Sequence, residues 1–206
     1  MSPRSSRRSR RAAQLLTSEK LGLFGEVLTT SLWVAVLAIP LITALPALAL
    51  GCAHLGRFIR GERDDLATLA RDGLDALRRG LLWSVLLVIV AVGGYIGVAS
   101  PAAELAPGSG PLRGLSVVLL VGIAVVVLRA CAMWTRADSW KRLLERSVRR
   151  CLTDLRGSTL LLLAVVLAGV VAWMFAPLIV VVPGLLAFAA VAVELGYREE
   201  GPAGRP

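Results

Sequence analysis

Pro40-Leu41-Ile42-Thr43-Ala44-Leu45-Pro46 interrupts the first apolar stretch of the chain, residues 21–53, and its reading decides how everything after it is arranged. If residues 21–53 crossed a bilayer once, the basic N-terminal tail and the basic segment 57–79 would lie on opposite sides. The tail carries five Arg before residue 12 and the segment carries six Arg, so one of them would have to sit outside, against the inside preference of Lys and Arg. Proline lacks an N–H and blocks the preceding turn of a helix. Two prolines six residues apart therefore predict a turn: helix 1 over 21–39, the bend at Pro40–Pro46, and helix 2 over 46–60.

The same pattern recurs as Pro177-Leu178-Ile179-Val180-Val181-Val182-Pro183-Gly184-Leu185, so both stretches read P-L-I-x-x-x-P-x-L. Further apolar runs lie at 81–99, 115–128, 158–176 and 178–193, and a run of about 18 or more reads as a membrane helix. With 56% hydrophobic residues and a mean hydropathy of +0.74, the chain exceeds the apolar content usual for soluble domains. The expected fold is an all-α polytopic membrane bundle of six membrane helices, two of its pairs being proline-turn hairpins. Residues 1–20 form a disordered basic cytoplasmic tail, 21–196 one transmembrane domain, and 197–206 a short cytoplasmic tail. This topology puts 22 of the 23 Lys and Arg inside, leaving only Arg113 outside.

Two basic segments, 64–79 and 139–156, place apolar residues at i, i+3, i+4 and i+7, and each runs into a membrane span through a glycine, Gly80 or Gly157. Both predict amphipathic helices lying in the plane of the inner leaflet, their Arg side chains facing lipid phosphates or cytosol. Trp83, Trp134, Trp140 and Tyr197 fall near the inner boundary, and Tyr95 and Trp173 near the outer one, as an aromatic belt would. Trp33 falls mid-helix and does not fit that belt. Ala164, Ala168, Ala172 and Ala176 make a small-residue ridge suited to close helix packing.

The net charge is +9, from 21 Arg and two Lys. Because the Arg residues flank apolar spans, the implied partner is anionic lipid and not nucleic acid. Arg10-Arg11 and Ala49-Leu50-Gly51-Cys52 weakly resemble an export signal and a lipoprotein cleavage box. The apolar stretch between them is too long and too interrupted for that reading, and a retained tail fits better. Cys52, Cys131 and Cys151 have neither metal nor redox spacing and read as small buried hydrophobes. There is one histidine, no paired-carboxylate, Ser-His-Asp or phosphate-loop pattern, and no sign of a metal or cofactor site. A non-enzymatic protein is expected.

Ionisable groups beside apolar helix remain as candidates: Glu26, His54, Arg57, Arg60, Arg129 and Glu194. Glu26 lies 14 residues before Pro40 and Arg60 lies 14 after Pro46, so both stand roughly 21 Å below the first turn. A pair of Glu26 with Arg60 or Arg57 is available, and one of Glu194 with Arg129. The alternative is a set of interfacial charges, snorkelling or paired for stability.

Residues 46–62 read P-A-L-A-L-G-C-A-H-L-G-R-F-I-R-G-E. With Trp33 and the proline turn before them, they resemble the YesL-like family of bacterial integral membrane proteins, through Trp33, Pro46, Ala47, Ala49, Arg60, Gly61 and Glu62. The later order of span, basic helix, span, proline turn and span extends the likeness over about residues 20–196. Departures are Thr30, Leu48 and Cys52, where the family has Asn, Thr and an aromatic residue. The resemblance implies a bacterial cell-membrane location and a loose link to carbohydrate uptake, with no reaction attached. Three functions follow as expectations: an accessory or assembly component of a carbohydrate ABC transport system, touching its permease or ATPase subunits; a small-solute transporter in its own right; or a lipid-bound scaffold on the inner leaflet. Pro40, Pro46, Pro177, Pro183 and Gly61 are expected to be the structural turns.

Overall fold

The computed structural model describes residues 22–62, 66–99, 109–175, 178 and 180–199. Among them the chain is helical throughout its regular structure and has no strand. In order come α1 (Gly22–Leu37), a 3-10 turn (Leu41–Thr43), α2 (Ala44–Ile59), α3 (Leu66–Ala99), α4 (Ser109–Met133), α5 (Trp140–Thr153), α6 (Leu155–Met174) and α7 (Val182–Glu199). The expected N-terminal tail, residues 200–206 of the C-terminal tail, residues 100–108 of the outer loop, Asp64 and Pro177 lie outside the described residues, while 197–199 continue α7 instead of starting a tail.

Four stretches among the described residues are long and apolar enough to cross a membrane: Leu41–Ile59, Arg71–Ala99, Arg113–Met133 and Leu155–Met174. Their outer surfaces are apolar, with Leu82, Ile89, Tyr95, Val118, Leu163 and Trp173 among the most exposed side chains. Contiguous apolar surface of this extent belongs in lipid, where a helix satisfies its own backbone.

The first proline turn is tighter than its sequence suggests. The chain re-enters helix at Leu41, and α2 begins at Ala44, so Pro46 sits inside its first turn, where the missing N–H costs nothing. The Thr43 hydroxyl donates back to the Pro40 carbonyl at 2.7 Å and closes the bend. At its other end α2 stops in a Schellman arrangement: the Glu62 N–H donates to Arg57 O (3.1 Å), the Gly61 N–H to Phe58 O (2.9 Å), and Gly61 takes φ +71.

α3 departs from expectation. The basic segment before Gly80 is not a separate in-plane helix; it continues into the apolar span as one 34-residue helix. That is about 51 Å of helix against a hydrocarbon core about 30 Å thick, so the charged first part projects beyond it. Gly80 does not break the helix, because one glycine costs only about 1 kcal/mol there. It makes room: a Cβ would stand 3.1 Å from the Trp140 indole nitrogen. The second basic segment does form its own helix, α5, with Trp140, Leu143 and Ser147 buried and Lys141, Arg142, Arg146 and Arg149 exposed. The chain bends at Asp154 (φ −106, ψ 79), three residues earlier than the expected Gly157.

α2, α4 and α7 form the centre, each touching the other two, with α3 and α6 on the flanks. Ala49, Leu55, Ala130, Cys131, Ala187 and Ala190 are almost fully buried there. Trp134 and Trp140 belong to this core, so these two members of the expected belt do not face lipid. Their apolar bulk is worth more between helices than at the boundary. α1 packs on α2 and on the start of α7. Gly51 accepts the Val34 and Thr30 side chains, and a Cβ on Gly184 would strike the Ser31 hydroxyl and the Val27 carbonyl.

Candidate functional site

α2 and α7 run side by side in the same direction. Cys52 Sγ lies 3.9 Å from the Ala187 carbonyl, and a Cβ on Gly56 would stand 3.9 Å from Val191. Both contacts are 135 residues apart in sequence, so the helices keep step. Their ends, the charged part of α3 and the α4–α5 link enclose a cleft of about 430 Å³. Its floor is apolar (Cys52, Gly56, Val191, Leu195) and its walls carry Arg57, Arg60, Glu62, Asp72, Arg136, Glu194 and Arg198.

Two buried carboxylates organise these walls. Asp72, 4% exposed, accepts from Arg57 Nη1 at 3.0 Å on one oxygen and from Arg136 on the other. Glu194, 5% exposed, accepts from Arg150 and from Arg198 Nε, the latter at 3.2 Å. Each carboxylate thus holds two guanidinium groups from different parts of the chain. A buried carboxylate requires such partners, since losing water without them is costly. Arg150 also lies over the Tyr197 ring, 4.7 Å from its centroid. The Arg60–Glu62 pair, 2.8 Å, lies in solvent and contributes little. Among the described residues, four arginines and three carboxylates line the cleft.

Of the six residues singled out in the sequence, Arg57, Arg60 and Glu194 line this cleft. The other three do not. Glu26 pairs with His54 at 2.5 Å, replacing the expected partners Arg57 and Arg60. Helix stops at Leu37 and resumes at Leu41, not at Pro40 and Pro46. That slides α1 against α2 and brings Glu26 level with residue 54.

Arg129 does not reach Glu194 either. It is buried, 2% exposed, and donates from Nη2 to Asp154 Oδ2 at 2.5 Å and to the Asp154 carbonyl at 3.2 Å. Asp154 also caps α6, its Oδ1 accepting from the Gly157 N–H at 2.9 Å. Burial raises the Asp154 carboxyl, but the Gly157 N–H and the Arg129 guanidinium outweigh it and hold the group below its ordinary value. A Cβ on Gly157 would meet Asp154, Arg129 and Val193, so glycine is required at that approach.

Asp72, Arg136, Arg150, Asp154 and Arg198 were not singled out. Asp72 carried a signal: it falls three residues after Leu69 and four before Ala76, on the apolar face of its helix. Asp154 carried another, as an N-cap residue type four residues before the apolar run at 158–176. Arg136, Arg150 and Arg198 had none, because nothing local separates them from the other arginines.

The cleft holds charged hydrogen-bonding groups over an apolar floor. That suits binding a polar solute or seating a partner's side chains. No set of three or more His, Cys, Asp or Glu among the described residues is placed to hold a metal ion. Comparisons with protein-family models, with curated proteins and with solved structures find no match for this chain.

Proposed function

We propose that this is a non-enzymatic, multi-pass protein of the bacterial cell membrane that serves as an accessory or assembly component of a transport system, of the carbohydrate ABC kind. It crosses six times, with both termini in the cytoplasm. The four long spans are joined by α1 and α7, which complete the pairs at the two proline turns. This topology keeps every arginine-rich segment on one side. The observation that carries the reading is the size of the basic inner surface. The charged arm of α3 extends about 20 Å past its apolar part, and α5 beside it exposes Lys141, Arg142, Arg146 and Arg149. Such a surface meets anionic lipid headgroups and the acidic faces of permease or ATPase subunits. Purification from native membranes in mild detergent tests it. Permease or ATPase subunits are expected to travel with the protein and to be lost when Arg142, Arg146 and Arg149 are changed to Glu. A protein that elutes alone sinks the reading. Tagging at Gly61 and at both ends tests the topology, and an exterior tag at any of them overturns it.

The charged cleft supports a second reading, a small-solute transporter in its own right. Its site would lie between the ends of α2 and α7, below two proline-broken bends. Solute flux into proteoliposomes that is abolished by Asp72→Asn would favour this reading over the first.

A further inference from the structure

A second cavity, about 520 Å³, lies between the start of α2, the apolar part of α3 and the middle of α4. Leu45, Leu48, Leu87, Ala91, Ile123 and Ala124 are among its walls, and Tyr95 and Leu41 stand exposed at one end. At the other end is Ser84, 2% exposed, whose hydroxyl has no hydrogen-bond partner. Ser84 and Tyr95 are eleven residues apart on α3, so the cavity runs about 17 Å along the helix.

These facts constrain the occupant. Leu86, Ile89 and Val92 on the same helix are exposed and apolar, so the surroundings are hydrocarbon. Water is a poor filling, because it needs two to four polar partners and the inner end offers one hydroxyl. Among the described residues the lining holds no Asp, Glu, Lys, Arg or His, so a charged headgroup would find no counter-charge there. A plain hydrocarbon chain fits the walls but leaves the Ser84 hydroxyl orphaned. We propose that the cavity binds a membrane-dissolved long-chain alcohol, its chain along α3 and its hydroxyl hydrogen-bonded to Ser84 Oγ. An apolar pocket with one convergent polar group is the usual form of a site for such a molecule.

The test uses the full chain in detergent with radiolabelled tetradecanol, tetradecane and tetradecanoic acid as probes. Wild-type protein is expected to retain tetradecanol about five- to tenfold more strongly than tetradecane, the worth of one buried hydrogen bond. Ser84→Ala, which keeps the shape of the cavity, is expected to erase that preference without changing tetradecane retention. Ala124→Phe, which fills the cavity, is expected to abolish retention of both. Equal retention of alcohol and alkane by the wild type overturns the proposal, since the Ser84 hydroxyl is then satisfied by its own helix. So does an alcohol preference that survives Ser84→Ala, stronger retention of the acid than of the alcohol, or undiminished retention by a folded Ala124→Phe protein.

Discussion

α2 and α7 enter the bundle alike and end in opposite charges. Each begins beside a proline of the repeated turn, runs in step with the other through the core, and places an ionisable residue eleven positions after that proline: Arg57 after Pro46, Glu194 after Pro183. Each of these residues is paired with a basic segment, but the signs are inverted. Arg57 meets the carboxylate of Asp72, whereas Glu194 meets the guanidinium of Arg150. The inversion shows what repetition of backbone does and does not require. A bend and a register can recur while the electrostatic partner is chosen afresh, so long as no charge is buried alone.

The largest effect should come from removing one buried carboxylate. Asp72→Asn leaves Arg57 and Arg136 without their shared partner. It should cost about 3 kcal/mol, at the low end for a broken buried pair because Arg136 is open to solvent. Glu194→Gln should cost about half as much, since Arg150 and Arg198 are more exposed than Arg57. Denaturation in mixed micelles measures both, and equal losses would remove this asymmetry between the two halves. The next effect concerns the residue after the second proline. Gly184 lies under Ser31 and Val27 with no room for a methyl group, and its counterpart Ala47 is buried without such a clash. Gly184→Ala should destabilise by about 2 kcal/mol through overpacking, whereas Ala47→Gly should cost about 1 kcal/mol through helix propensity. A neutral Gly184→Ala would mean that α1 is not seated on α7.

The smallest effect is in acid. The carboxyl of Asp154 is depressed in the folded state, so its stabilisation is complete above the unfolded value of 3.8 and disappears as pH falls through the lower folded value. Melting of the wild type should therefore decline more steeply below pH 3.8 than melting of Asp154→Asn. Parallel curves would show that Arg129 gains nothing from that carboxylate.

Much of the helical framework was legible because lipid demands long apolar runs and proline marks their ends. The first bend and α5 follow from residue spacing alone. The continuity of α3 was not legible: Gly80 in a basic-to-apolar junction looks like a hinge, and only the indole of Trp140 lying against it shows that its small size serves packing. The charge pairs were the least legible part. Counting along a helix gives depth, but pairing also needs rotation about the axis and the offset between neighbours. Glu26 consequently meets His54, and Arg129 meets Asp154. For the same reason the cleft could be located only as a depth, with four of the seven charged residues described in its lining still unassigned.

An unbroken α3 carries one continuous backbone from its charged end into the apolar bundle. From Gly80, where the indole of Trp140 lies against it, the charged arm runs about 14 Å to Arg71 and the apolar arm about 29 Å to Ala99. Asp72, clamped by arginines on two other elements, stands on the short arm, so the clamp fixes the same helix that lines the apolar cavity.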